Sequence, residues 1–168
     1  AMEDHAHWFP CYDSPNNFST YRFILRHRAQ FQAIAGGMRE SRITTEDGWA
    51  VTTYSQDRAH VLYLVNVIVG DLVAVEDPAC PVPVTHWLPR GREACAPAMF
   101  RATGFALAEL AAFIGVPYPW QRYGHAVVHR FMWGGMENTT LTTITDRVLM
   151  TPEEQRREDV DCDSLVIH

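Results

Sequence analysis

Short runs of β-branched and aromatic residues fill the first half of the chain, separated by glycine-containing pairs that are typical of turns. These runs cover residues 20–26, 31–35 and 49–54. A longer run, residues 61–69, is apolar at nearly every position, which predicts a strand buried on both faces. The pattern therefore predicts β structure over residues 19–75.

The pattern changes after a proline-rich stretch at residues 77–83, which is the best candidate for a domain boundary. One short strand is predicted just beyond it, at residues 84–88. Residues 94–114 then place apolar side chains at helical spacing, which predicts an amphipathic helix of about five turns. Gly115 is the expected end of this helix, because two prolines follow it closely.

The carboxyl-terminal part of the chain returns to strand patterns at residues 123–131 and 139–145. The charged run at residues 153–159 indicates a solvated helical turn or loop. A last helix is expected to begin near Ser164, with Asp161 or Asp163 as its cap.

The composition excludes several classes of protein. Hydrophobic residues make up 47% of the 168 positions and charged residues 20%, so disorder is excluded for most of the chain. The net charge of −6 argues against a nucleic-acid-binding surface. Neither a signal peptide nor an unbroken apolar run of ~18 residues is found, so no membrane segment is expected and a cytoplasmic location is slightly favoured. The four cysteines form no CxxC pair, so a zinc ribbon is not expected.

A pair of glycines followed by a carboxylate is the pattern with the clearest chemical meaning. The glycines Gly134 and Gly135 let a ligand approach the backbone closely, and Glu137 places a negative charge nearby. A cationic amine is the natural guest of such a site, held by charge-assisted hydrogen bonds. From these residues alone, a hairpin turn with a surface glutamate is the simpler alternative.

The segment Gly134-Gly135-Met136-Glu137-Asn138 resembles the GxMEN motif of the zinc aminopeptidases of the gluzincin clan, the relatives of alanyl aminopeptidase and leukotriene hydrolase. Three further segments match that family in the same order, and together they cover nearly the whole chain. They are residues 8–15 (WFPCYDSP), residues 59–72 and residues 113–119 (FIGVPYP). The resemblance implies that the parent protein hydrolyses the amino-terminal bond of a peptide with zinc-activated water.

The resemblance also assigns the end of the chain. Residues 165–168 (LVIH) are similar to the segment that leads into the HExxH zinc motif, in which two His one turn apart bind zinc and the Glu is the base. It implies that His168 is the first zinc ligand, while the other ligands and the base lie outside this sequence. We therefore expect zinc in the parent protein, but neither stable zinc binding nor catalysis by this fragment alone.

The resemblance implies a role for each residue of the motif. Glu137 would hold the free α-amine of a peptide substrate. Gly134 and Gly135 would pair with the extended backbone of that substrate. Met136 and Asn138 would keep the segment in shape. The expected partners are thus a peptide with a free amino terminus and the rest of the parent chain, with no nucleic acid.

The implied fold class is α+β and mostly β. Residues 1–78 correspond to the later strands of an amino-terminal β-sandwich or saddle domain. Residues 79–168 correspond to the opening β-rich lobe and helix of a thermolysin-like catalytic domain.

Two departures from the family pattern leave the preferred substrate side chain open. Thr139-Thr140 stands where the family has Trp-Gly after the motif, and Ser14 replaces the Glu of an Asp-Glu-Pro segment. The alternatives are a non-catalytic peptide-binding module of the same family and an epoxide-hydrolase-like member. The residues that follow His168 in the parent distinguish enzyme from binding module, because a missing Glu-x-x-His would favour the latter.

Overall fold

The computed structural model describes residues 5–12, 14–158 and 162–168. Strands outnumber helices in these ranges, which confirms the predicted α+β fold with mostly β structure. The chain divides into two compact units. Unit 1 comprises Ala1–Asp71 and Glu137–Leu141, and unit 2 comprises Leu72–Met136 and Thr142–His168. The assignment of residues 1–78 and 79–168 to two family domains is a separate matter and stays a prediction.

The described residues of unit 1 form five strands in two antiparallel sheets. The strands are β1 (Phe18–Arg28), β2 (Gln32–Ala35), β3 (Met38–Thr44), β4 (Trp49–Val61) and β5 (Val67–Gly70). The larger sheet has the order β1-β4-β3, and β2 pairs with β5. The strands form where β-branched and aromatic residues are concentrated, as predicted for residues 20–26, 31–35 and 49–54.

The prediction of one buried strand over residues 61–69 is wrong. Strand β4 ends at Val61, a 3₁₀ turn follows at Leu62–Leu64, and β5 begins only at Val67. The turn is apolar because Leu62 and Val65 point into the interior and are almost fully buried. A buried turn and a buried strand give the same apolar pattern, so periodicity did not separate them.

Unit 2 is built on a five-stranded sheet with the order β6-β7-β8-β10-β9. Its strands are β6 (Leu72–Asp77), β7 (Val84–Pro89), β8 (Tyr123–Val128), β9 (Gly135–Met136) and β10 (Thr142–Thr145). The three central strands, β7, β8 and β10, are parallel, whereas the outer strands β6 and β9 are antiparallel to their neighbours. The predicted strand at residues 84–88 is confirmed as β7.

Strands β8 and β10 are shorter than predicted. Strand β8 ends at Val128 because Arg130 adopts a left-handed conformation, with φ of 53°, and its N–H donates to Asp146 Oδ1 at 3.2 Å. Strand β10 begins at Thr142, because residues 139–141 precede it in a turn that belongs to unit 1.

Within the part of unit 2 that the structure describes, the α-helices are α1 (Ala96–Met99), α2 (Thr103–Ile114), α3 (Pro152–Glu158) and α4 (Asp163–Ile167). The continuous helix predicted over residues 94–114 is therefore wrong, since it is interrupted between α1 and α2. The interruption falls at Phe100, whose ring is buried and stacks on His86 and His125. Gly115 ends α2 in the left-handed conformation, with φ of 75°, as predicted.

The segment Glu93–Ile114 is long and apolar enough to cross a membrane, judged by length and composition alone. Polar residues such as Arg101 and Glu109 interrupt it, so the sequence has no unbroken apolar run there. Core helices of soluble proteins pass the same test, and here Cys95, Ala96 and Met99 belong to the core of unit 2.

The two carboxyl-terminal helices begin differently. The charged run is confirmed as a helical turn, and α3 starts with a capping box. In this box Thr151 N–H donates to Glu154 Oε2 at 2.7 Å, and Glu154 N–H donates to Thr151 Oγ1 at 3.2 Å. Helix α4 follows Cys162, and Asp163 lies in its first turn rather than at the cap. Asp161, the other predicted cap, lies outside the described residues.

The core of unit 2 contains two buried histidines beside its apolar side chains. His86 and His125 are 2% and 0% exposed, and their Nδ1 atoms are 3.1 Å apart in a shared hydrogen bond. Burial lowers the pKa of His86 to about 4, although the facing Asp77 opposes this. Burial and the neighbouring His86 hold the pKa of His125 well below its usual value. Both imidazoles are therefore neutral at pH 7.

We expect unit 2 to lose stability as the pH falls from about 6.5 to about 4. Each buried histidine has a lower pKa in the folded protein than its unfolded value near 6.5, so the unfolded chain binds more protons in this window. The free energy of unfolding from urea titrations should fall by about 2 kcal/mol between pH 7.5 and pH 5 through His86 alone, and further through His125. His86→Asn should reduce this dependence, whereas His7→Asn, which changes an exposed histidine, should keep it. An equal slope in all three proteins would contradict the expectation.

Candidate functional site

The first three residues of the predicted motif lie at the edge of the unit 2 sheet. Strand β9 pairs with β10 through Gly135 opposite Ile144 and Met136 opposite Thr143. The Gly134 carbonyl accepts a hydrogen bond from Thr145 N–H at 3.0 Å. Among the described residues, no strand pairs with the other side of β9. Its outer backbone groups can therefore receive a further extended chain, the geometry of β-strand addition.

Helix α4 packs directly against this glycine pair. A Cβ atom placed on Gly134 would lie 3.3 Å from Leu165 Cδ1, and one on Gly135 would lie 3.5 Å from the same atom. The first distance is tighter than most Cβ contacts in proteins, whereas the second is an ordinary van der Waals contact, so glycine gives room to the leucine side chain mainly at Gly134. His168 comes three residues after Leu165, at a spacing that places two helical residues on the same face. Its N–H still donates to the Ser164 carbonyl, at 3.2 Å.

The remaining two motif residues, Glu137 and Asn138, belong to a segment that is held by unit 1. Glu137 is exposed and Asn138 is buried. Three long-range hydrogen bonds fix the residues that follow: Thr139 N–H to Leu64 O at 3.0 Å, Gly37 N–H to Thr140 Oγ1 at 2.7 Å, and Asn66 Nδ2 to Leu141 O at 2.8 Å. The exposed carboxylate is thus carried on a backbone that is firmly anchored in this unit.

Two backbone features of unit 1 depend on this anchoring. Thr140 has a φ of 68°, a left-handed conformation that is unusual for a β-branched residue. Gly36 has so little space that an added Cβ would lie 2.8 Å from the Thr139 carbonyl oxygen. Thr140 occupies the position of the glycine in the Trp-Gly pair that the resemblance leads one to expect. A glycine in the family pattern at this position is a sequence signal for a left-handed backbone. That signal was missed from the sequence alone.

The structure does not assemble a metal site. Within the described ranges, no group of three or more His, Cys, Asp or Glu side chains could hold a metal ion. His168 is exposed at the end of α4, and one imidazole does not hold zinc by itself. The residues present therefore do not fit a complete zinc site.

His125 and His129 have the four-residue spacing of a pair of zinc ligands, but they lie in different surroundings. His125 is fully buried in β8, whereas His129 is exposed and bonded to Asp146 through Nδ1. This separation agrees with a structural role for each. Trp133, which precedes the motif, is half exposed.

Comparison with known proteins agrees with the motif order. The model of the peptidase M1 N-terminal domain matches residues 2–64, and the model of the peptidase family M1 domain matches residues 100–168. Together these two models account for most of the chain, in the order amino-terminal domain and then peptidase domain. The chain belongs to peptidase family M1, and the predicted combination of an amino-terminal β domain with the start of a catalytic domain is confirmed.

Two glutamyl aminopeptidases are among the similar proteins. The protein from Rattus norvegicus is 23% identical over 143 residues, and the protein from Mus musculus is 24% identical over the same length. Each alignment covers 84% of this chain and 15% of the relative. The chain therefore spans only a small part of the length of these curated relatives.

We expect Thr140→Val to lower the free energy of unfolding by about 1–3 kcal/mol, because it leaves the buried Gly37 N–H without its acceptor. Valine keeps the shape and the β-branching of threonine, so the hydroxyl is the main difference. Urea denaturation measures the change, and faster exchange of the Gly37 amide proton should accompany it.

Thr20→Val is the matched control, because Thr20 is exposed on β1. It should change the free energy of unfolding by no more than about 0.5 kcal/mol. Equal effects of the two substitutions would show that the Thr140 hydroxyl does not anchor the segment.

Proposed function

We propose that this chain is part of a zinc-dependent aminopeptidase, in which it forms the wall that binds the amino-terminal end of a peptide. The observation that carries the proposal is the packing of α4, which leads to His168, against Gly134 and Gly135 on the edge strand β9. Family membership and the name of the glutamyl aminopeptidases support the same reaction class. In this proposal residues 1–78 and 79–168 are parts of the amino-terminal β domain and of the catalytic domain.

Each residue of the motif has a binding role in this proposal. The outer backbone of Gly134 and Gly135 pairs with an extended peptide, as an added strand would. Glu137 is exposed, so its carboxylate oxygens can accept hydrogen bonds from a substrate ammonium group. Met136 and Asn138 maintain the backbone on either side of the carboxylate. A peptide whose amine is blocked would lose the charge-assisted bonds, which restricts the reaction to free amino termini.

The zinc ion belongs to the parent protein in this proposal. When bound, it supplies an activated water for attack on the peptide bond. His168 is proposed as one of its ligands, and the remaining ligands must come from elsewhere in the parent. Because the described residues do not form a zinc site, the 168-residue chain alone should be inactive.

Glu137→Gln in the full-length parent should lower kcat/KM for an amino-acyl-arylamide by about 10–100-fold, the loss expected for one charge-assisted hydrogen-bond site. The substitution keeps the size of the side chain and removes only its charge. Glu153→Gln, on the exposed face of α3, is the matched control and should leave the rate unchanged. A Glu137→Gln enzyme with full activity would overturn the role of Glu137 and leave the family assignment untouched.

Zinc content separates the enzyme from a non-catalytic binding module. The purified parent should contain about one zinc per chain by elemental analysis, and His168→Ala should abolish both the bound zinc and the activity. If the parent is a binding module, it should contain no zinc before the substitution, and His168→Ala should leave peptide binding intact. A parent sequence without Glu-x-x-His directly after His168 would likewise overturn the catalytic proposal.

A further inference from the structure

A loop at residues 129–134 connects β8 to the edge strand β9 in unit 2. The backbone hydrogen bonds of this loop lie at its two ends. In its middle, at residues 131–133, no backbone hydrogen bond is found among the described residues. Strand β9 has only two residues, so the position of its backbone depends on how this loop is held.

Asp146 holds the first end of the loop with both of its carboxylate oxygens. Its Oδ2 atom accepts a hydrogen bond from His129 Nδ1 at 2.5 Å, and its Oδ1 atom accepts one from Arg130 N–H at 3.2 Å. Burial alone would raise the pKa of Asp146, but these two hydrogen bonds hold it below its usual value, so the carboxylate is ionised at pH 7. Hydrogen bonds to an ionised carboxylate are stronger than those between neutral groups.

The hydrogen bond to Arg130 stabilises an unfavourable backbone conformation. Arg130 has a φ of 53°, in the left-handed region that residues with a side chain rarely adopt. This residue turns the chain out of β8 and into the loop. Removing the acceptor of its N–H takes away a contact that offsets the strain, so the loop would then leave β8 in another direction.

Asp146 is itself attached to the core of unit 2. It begins a 3₁₀ turn, Asp146–Val148, that directly follows β10. Leu149 N–H donates to the Asp146 carbonyl at 3.1 Å, and Leu149 belongs to the hydrophobic core. The preceding residue, Thr145, donates its N–H to the Gly134 carbonyl at 3.0 Å. Two adjacent residues therefore hold the two ends of the loop, and both are connected to the core.

We propose that Asp146 is a positioning residue for peptide binding: by holding His129 and Arg130, it fixes the loop that sets the position of β9. The inference rests on the proposed function, because it requires the outer backbone of β9 to receive the peptide. Asp146 does not touch the substrate. Its loss should weaken pairing along the peptide backbone and spare the bond between Glu137 and the substrate amine, because Glu137 is anchored with unit 1.

Two substrates with the same first residue separate positioning from folding. A tripeptide can pair with β9 along its backbone, whereas an amino-acyl-arylamide has no peptide backbone beyond its first residue. In the full-length parent, Asp146→Ala should lower kcat/KM about tenfold for the tripeptide, mainly through KM, and no more than about twofold for the arylamide. A loss of folded protein would lower both rates equally. Equal losses for the two substrates, or no loss for either, would overturn the inference.

Asp47→Ala is the matched control. Asp47 also holds a turn with both carboxylate oxygens, since Oδ1 accepts Trp49 N–H at 3.3 Å and Oδ2 accepts the Arg26 side chain at 3.1 Å, but this turn lies in unit 1. Its substitution should leave the ratio of the two rates unchanged. Asp146→Asn keeps the size of the side chain and one acceptor oxygen, so it should lower the tripeptide rate by about threefold and spare the arylamide rate. It decides the question if Asp146→Ala does not fold, and an unchanged ratio would then overturn the inference.

Amide hydrogen exchange in the parent distinguishes a failure of this inference from a failure of the proposed function. Asp146→Ala should speed the exchange of the Arg130 and Thr145 amides, whereas Asp47→Ala should not. A parent that cleaves neither substrate would overturn the aminopeptidase proposal alone. Its affinity for the tripeptide, measured by titration calorimetry, then takes the place of kcat/KM. An affinity or an amide exchange that Asp146→Ala leaves unchanged would overturn the positioning role.

Discussion

The parallel pairing of β10 with β8 is the interaction on which the candidate site of unit 2 depends. Thr142 to Thr145 pair with His125 to Val128 on one side, and the other side of β10 carries β9. Strand β9 has only two residues, too few to hold its place without a neighbour. The edge that carries Gly134 and Gly135 is therefore positioned by a buried strand.

Glycine has a specific function at this edge. It is not needed there for a left-handed turn, since neither Gly134 nor Gly135 has a positive φ. At Gly134 it gives room to Leu165 of α4, whose Cδ1 atom would lie 3.3 Å from an added Cβ, whereas at Gly135 the corresponding distance of 3.5 Å is an ordinary van der Waals contact. In unit 1 a left-handed backbone occurs at a residue that is not glycine, namely Thr140. The hydroxyl of Thr140 accepts a hydrogen bond from Gly37 N–H. One buried hydrogen bond helps to offset the strain there.

The sequence predicted the local elements well and the breaks within them poorly. Turn positions such as Gly115 were correct, because a left-handed residue followed by prolines ends a helix whatever surrounds it. The run at residues 61–69 and the helix at residues 94–114 were predicted as unbroken. Both are interrupted where an apolar residue, Leu62 or Phe100, turns into the interior. An apolar run indicates that its residues are buried. It does not indicate whether the strand or helix continues through the buried position.

Residue spacing along the chain was enough to predict the type of most elements and the family. Periodicity predicts the strands and helices, and ordered motifs carry the resemblance. The tertiary structure alone decided that β9 is an edge strand, that α4 covers the glycine pair, and that Glu137 is anchored with unit 1 while Gly135 pairs within unit 2. It also decided that His86 and His125 are buried side by side in the core of unit 2. Each of these depends on which distant segments become neighbours, and hydrogen bonding between strands far apart in sequence sets that arrangement.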